Sequence, residues 1–197
     1  MKKIAFFDFD GTITTKDTMF ELIRHQKGNK HFYWGFLLHI PVFAALKLKL
    51  LSNQVAKEQL LKYFFKGVSA SAFQSGCDDF IDKKLPALIR PAAEAEIKSL
   101  QSSGFEVVIV SASAENWIKK WSDAIGAKLI ATELETIGNK LTGKVKGLNC
   151  NGEEKAARIR SAFDLSQFDE IYCYGDSNGD RQMLALGTKT FFKPFRK

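Results

Sequence analysis

Ile4-Ala5-Phe6-Phe7-Asp8-Phe9-Asp10-Gly11-Thr12 is an apolar run that ends in two carboxylates two residues apart, followed by Gly and Thr. Residues two apart on a strand point to the same side. Asp8 and Asp10 therefore share one side of the end of a buried strand, an expensive place for two like charges unless something uses them. A hard cation such as Mg²⁺ suits carboxylate oxygens and offsets that cost. An exposed Asp-x-Asp-Gly turn is the alternative for these residues alone. The full pentad Asp-Phe-Asp-Gly-Thr arises by chance in only about one in ten thousand chains of this length, at roughly 5% usage per residue.

Outward from this stretch, the chain divides in two. From Asp17 to Lys83 the pattern is helical, with no convincing strand. Met19, Leu22 and Ile23 fit one helical face, and Val55, Gln59, Leu60 and Tyr63 fit another less cleanly. Strand and helix alternate again from Pro91. Helices are expected over 91–100, 114–125, 153–163 and 178–186, and strands over 3–9, 105–110, 128–131, 171–174 and 188–192. Thr132 to Lys146 alternates around Gly-Asn and reads as a β-hairpin. This order predicts an α/β fold, a Rossmann-like parallel sheet with helices on both faces. The core is expected to comprise 1–14 and 91–197, with an inserted helical cap over 15–90.

At 197 residues, 45% of them hydrophobic, the chain suffices for such a core. Cys77, Cys150 and Cys173 are odd in number and widely spaced, which suggests a reducing compartment and no zinc site. No signal peptide is expected, because a strand begins at residue 3. A cytoplasmic protein follows. The formal charge of +7 permits an anionic partner, but no nucleic-acid motif accompanies it.

In open parallel sheets the site lies beyond the carboxyl ends of the strands. There fall Asp8 and Asp10, then Ser111-Ala112-Ser113, then Gly175-Asp176-Ser177-Asn178-Gly179-Asp180, with Lys155 on the preceding helix. Loop or N-cap roles would explain any one of them, Ser113 and Asp176 included. They explain poorly a gathering of carboxylates, hydroxyl and ammonium at one edge. Gly138-Asn-Lys-Leu-Thr-Gly143-Lys144 nearly matches a P-loop, but Val145 replaces the Ser/Thr and the context is a hairpin.

These segments resemble the haloacid dehalogenase-like (HAD) hydrolase superfamily. Asp8-Phe-Asp-Gly-Thr looks like its first motif, Ser111 its second, Lys155 its third, and Asp176 with Asp180 its fourth. The cap position, with Val110-Ser-Ala-Ser-Ala and Tyr174-Gly-Asp-Ser-Asn-Gly-Asp180, resembles the phosphoserine-phosphatase-like IB branch. The resemblance implies a Mg²⁺-dependent phosphatase. Asp8 would be the nucleophile and Asp10 the general acid and base. Gly11, Ser111, Ala112 and Lys155 would bind the phosphoryl group. Asp8, the backbone carbonyl of Asp10, Asp176 and Asp180 would hold the metal. A phosphotransferase or mutase could share these residues, and a non-catalytic membrane-surface protein is a further alternative.

The expected partner is a phosphorylated small molecule or a lipid phosphate. In phosphoserine phosphatases a cap Glu and a cap Arg meet the substrate; here Asp17 matches the Glu, and around Leu60-Leu61-Lys62 only a Lys is offered. Phe32 to Leu46 carries no Asp, Glu, Lys or Arg, and Lys27, Lys30, Lys47 and Lys49 flank it. Either it packs as the cap's core, or it contacts an anionic membrane at its inner face. Some IB-branch relatives act on phosphatidylglycerol phosphate. The sequence offers no reading of oligomeric state.

Overall fold

The computed structural model describes residues 2–196. Five strands form one parallel sheet: β1 (Lys3–Phe7), β2 (Phe105–Ala114), β3 (Lys128–Thr132), β6 (Glu170–Gly175) and β7 (Lys189–Phe192), in the order β3-β2-β1-β6-β7. β4 (Leu134–Ile137) and β5 (Lys140–Val145) form the antiparallel hairpin. β1 is central, with Phe7 in register with Ile109 on one side and Tyr174 on the other. Whatever follows Phe7 therefore meets whatever follows the ends of β2 and β6.

The strand period of two sorts β1 onto both faces. Ala5 and Phe7 join the cluster that extends through α5 (Pro91–Ser102) to the inserted helices. Ile4 and Phe6 pack with Val108, Val110 and Ile159 of α7 (Glu153–Ala162) on the opposite face. Cys77, Cys150 and Cys173 are buried and free.

β2 runs four residues past its expected end. Its register against β3 slips between Ser111 and Ala114, and such a bulge re-aims side chains at a strand end. The helix expected over 114–125 is split into a 3₁₀ turn, Glu115–Trp117, and α6 (Lys119–Ala124). The one over 178–186 is likewise a 3₁₀ turn, Asn178–Asp180, followed by α8 (Arg181–Leu184).

Among the described residues, the insertion between β1 and α5 holds α1 (Thr18–Leu38), α2 (Ile40–Lys47), α3 (Asn53–Phe65) and α4 (Ala70–Lys83). Asp17, Ser52 and Ser69 cap α1, α3 and α4 by accepting from backbone N–H groups. Gly28, at φ +79, kinks α1. α3 buries Ala56, Leu60, Leu61, Phe64 and Phe65, so its inner face is rotated from the expected one and Val55 and Tyr63 are exposed. The chain enters and leaves this insertion through a clasp. Thr14 bridges Ile89, Thr15 N–H donates to Leu88 O at 2.8 Å, and Arg90 N–H donates to Ile13 O at 2.8 Å.

The hairpin joins the inserted helices to the sheet domain. Gly67 N–H donates to Leu141 O at 2.8 Å, and Leu141 N–H to Val68 O at 2.9 Å. β5 lies so close to α3 that a Cβ on Gly143 would sit 2.4 Å from the Lys62 Cα. The second glycine of the P-loop-like string thus serves helix packing. Phe191 and Phe195 stack on Tyr174, with ring centroids 4.4 and 5.9 Å away, so the Phe-rich tail packs on the body.

Candidate active site

The ends of β1, β2 and β6 line one pocket of about 420 Å³, roofed by the inserted helices. Asp8 follows β1 and is buried. One carboxylate oxygen accepts from Lys155 Nζ at 2.5 Å and the other from Thr12 Oγ1 at 2.9 Å. Lys155, in the first turn of α7 and 1% exposed, also donates to Asp180 at 2.6 Å. Asp180 further accepts from Ser177 N–H and Oγ at 2.9 and 2.8 Å, and from Asp176 N–H at 3.1 Å.

Burial works against all three charges of this trio. Burial pulls the Lys155 ammonium down, but Asp8 and Asp180 overcome it and hold the lysine above its ordinary value. Burial raises Asp180, and Lys155 with Ser177 more than reverses that. Burial pushes Asp8 up to about 7 despite Lys155, with Asp180 and Asp10 adding to the rise.

Carboxylate oxygens of Asp8, Asp176 and Asp180 lie within 4.8 Å of one another. Arg196 contacts Asp176. The carboxylates of Asp8, Asp10, Asp17, Asp176 and Asp180 outnumber the cations Lys57, Lys155 and Arg196, an excess of negative charge that a divalent ion would balance. All donors are hard oxygens, the set that fits Mg²⁺. Gly11 turns the chain here at φ +82, where a Cβ would lie 2.5 Å from Asp176 Oδ2. Its N–H is taken by Thr14 Oγ1 at 3.2 Å.

Asp10 stands apart from the carboxylate trio. Its side chain accepts from Thr18 N–H and Oγ1, both at 2.7 Å, and from Ser113 Oγ at 2.6 Å. Trp117 Nε1 donates to Thr18 Oγ1 at 3.0 Å. The sequence reading placed Ser113 at this edge with a helix-cap role as the alternative, and did not anticipate Thr18 at Asp10. The β2 bulge aims Ser113 into the site, while the Ser111 hydroxyl stays buried and accepts from Ser113 N–H at 3.0 Å. Ala112 and Ser113 form the pocket wall at this point.

A cap lysine reaches the site, and it is Lys57 rather than Lys62. Lys57 Nζ donates to Ala112 O at 2.5 Å and to Asn149 Oδ1 at 2.7 Å. Burial lowers it to about 8, against the pull of Asp10 and Asp17. Lys62 instead pairs with Glu58 at 3.9 Å. Asp17 lines the pocket mouth. Burial against the wall and the charge of Asp10 push its carboxyl up, a push softened by its exposure to solvent. Met19, Phe20, Phe43, Leu46 and Leu60 supply the apolar wall.

The model of the haloacid dehalogenase-like hydrolase family matches residues 5–185. Protein CicA of Caulobacter vibrioides is 29% identical over 195 residues, covering 98% of this chain and 86% of CicA. A Bordetella pertussis protein of unknown function superposes with a TM-score of 0.83 at 20% identity, over 96% of this chain and 89% of that one. A substrate-bound phosphoserine phosphatase superposes with a TM-score of 0.71 at 18% identity, over 98% and 86% of the two chains.

Proposed function

This chain belongs to the haloacid dehalogenase-like hydrolases, and on that premise we propose that it is a Mg²⁺-dependent phosphatase acting through an aspartyl-phosphate on Asp8. The observation that carries this reading is the meeting of Asp8, Asp10, Lys155, Asp176 and Asp180 around one pocket. Phosphoryl transfer is mainly positioning and charge stabilisation, which such a set supplies.

In the first step a carboxylate oxygen of Asp8 attacks phosphorus, the ester P–O bond breaks, and the leaving oxygen takes a proton from Asp10. In the second, Asp10 takes a proton from water as its oxygen attacks phosphorus. The bond to Asp8 then breaks, releasing inorganic phosphate. Thr18 and Ser113 keep the Asp10 carboxyl aimed through both steps. Lys155 offsets the charge of Asp8 and the phosphoryl group, and Ala112 borders that group, with Ser111 behind the wall holding Ser113 N–H. Asp8, the Asp10 carbonyl, Asp176 and Asp180 would hold Mg²⁺, which supplies positive charge to the phosphoryl oxygens when bound.

Residues 1–14 and 91–197 act as the catalytic core in this reading, and 15–90 as the cap that selects the ester. The favoured ester is a lipid phosphate. The wall of Met19, Phe20, Phe43, Leu46 and Leu60 suits an apolar portion, and Lys57 suits an anionic or carbonyl oxygen nearby. The fold is shared with phosphoserine phosphatases, but Lys57 offers a point charge in place of a bidentate guanidinium.

Hydrolysis of p-nitrophenyl phosphate tests the chemistry. Turnover should require Mg²⁺, stop with chelator, and vanish in Asp8→Asn. Activity that survives Asp8→Asn would overturn the covalent route. A micellar lipid phosphate should be hydrolysed in preference to phosphoserine; the reverse preference would overturn the substrate assignment.

A further inference from the structure

The charge-free stretch from Phe32 to Leu46 divides in the structure. Phe32 and Gly35 are buried, and Phe36 stacks on Phe43 at 4.4 Å, folding α2 back against α1. Apart from the half-buried His39, Val42, Ala45 and Leu46, the rest faces outward, and Leu48 and Leu50 just beyond it extend this surface. Trp34 is 60% exposed, Leu48 70% and Leu50 74%, and Leu37, Leu38 and Ile40 are each more than half exposed. α2 carries seven apolar residues in eight and buries none of them. An apolar surface this dense is unusual on a soluble monomer and marks a contact site.

Its charge identifies the occupant. No Asp or Glu occurs from Leu22 to Lys57, while Lys27, Lys30, Lys47 and Lys49 border the apolar residues. Lys30, Lys47 and Lys49 make no ion pair among the described residues. A second copy docked symmetrically would bring these lysines against their own kind. A bilayer with anionic headgroups offers an apolar interior for Leu48 and Leu50, an interfacial layer for Trp34, and countercharge for the lysines. Among the described residues, no helix is long and apolar enough to cross a membrane, so the contact lies in the interface plane. α2 also turns Phe43 and Leu46 into the pocket of Asp8 and Lys155.

We propose that the end of α1, α2 and the loop to Leu50 seat the protein on an anionic bilayer, with the pocket mouth at the lipid–water boundary. The proposal rests on the phosphatase reading only for what the pocket does there. Co-sedimentation with vesicles tests it, comparing phosphatidylcholine alone with phosphatidylcholine plus phosphatidylglycerol. The native chain should pellet with the anionic vesicles, and its partitioning should fall on the order of tenfold in Leu37→Glu/Leu48→Glu and in Lys47→Glu/Lys49→Glu. Both variants should keep the native circular dichroism and p-nitrophenyl phosphate turnover.

Failure of the native chain to pellet with anionic vesicles would overturn the proposal. So would binding that survives both double substitutions. A dimer on gel filtration that Leu37→Glu/Leu48→Glu dissociates would assign the face to a second copy instead. Binding intact with no p-nitrophenyl phosphate turnover would sink the phosphatase reading and leave the docking face standing.

Discussion

Asp10, in the turn Phe9–Ile13 that follows β1 where the strand was expected to run on to Phe9, has its carboxylate held by Thr18, the first residue of α1, through both N–H and hydroxyl at 2.7 Å. The proposed proton-transfer group is therefore oriented by the inserted helices as well as by Ser113 of the sheet. A hydrogen bond to a charged group contributes about 1.5–3 kcal/mol. Ser113→Ala should lower kcat by roughly ten- to a hundredfold, with KM little changed. Ser113→Thr, which keeps the hydroxyl, should recover most of the loss. Steady-state kinetics on p-nitrophenyl phosphate would show it; equal loss in both variants would mean that packing, not the hydroxyl, matters.

Lys57 predicts a pH dependence of substrate binding. Its pKa is lowered to about 8, first by burial, so the free enzyme loses this positive charge as pH rises through 8. KM for an anionic phospholipid ester should climb above that pH. In Lys57→Met, KM should start high and stay flat across the same range. The stability sign is opposite. A folded-state value below the unfolded 10.5 means the buried ammonium costs most below pH 8 and nothing above 10.5. Thermal melts should accordingly show any advantage of Lys57→Met shrinking between pH 8 and 10.5.

Lys155 is the cation shared by Asp8 and Asp180. Removing one partner of a buried ion pair destabilises by about 3–5 kcal/mol. Lys155→Met should lose activity and, in chelator, unfold at lower urea, its unfolding free energy reduced by an amount in that range. Mg²⁺ should narrow the deficit by countering the orphaned carboxylates. An unchanged urea midpoint without metal would mean Asp8 and Asp180 are not coupled through this side chain.

Gly143 sets how closely β5 approaches α3. Gly143→Ala forces the Lys62 backbone away and strains a φ of +78. A loss of about 1–3 kcal/mol in stability is expected. Because α3 also carries Lys57, KM should rise more than kcat falls. A purely structural effect would leave the kinetic constants of the folded enzyme unchanged, and urea titration alongside kinetics separates the two.

The ends of β1 and β6 were legible in the sequence because buried strands announce themselves as short apolar runs, and Asp8 and Asp176 sit one residue beyond them. Parallel register of β1 and β6 brings Asp8 and Asp176 side by side, while Lys155 comes from the first turn of α7 and Asp180 from the turn Asn178–Asp180. Ser113 was not legible in the same way, since only the slip of β2 against β3 turns it toward Asp10. Lys57 was hidden by helix rotation. α3 buries Ala56 and Leu60, which swings Lys57 to the pocket and Lys62 to the hairpin. The fate of Phe32 to Leu46 was open for a further reason. Composition sets how apolar a segment is, whereas the fold-back of α2 decides which half is covered.

The clasp at Thr14 and Ile89 has a consequence for lineage and engineering. The two ends of the inserted helices lie one backbone hydrogen bond apart, so the insertion is a cassette with adjoining termini. The insertion nevertheless shares its core with Ala5 and Phe7 and holds Asp10 through Thr18. A replacement block would have to bring its own Thr18-like donor to Asp10 and its own close partner for Gly143 of the hairpin.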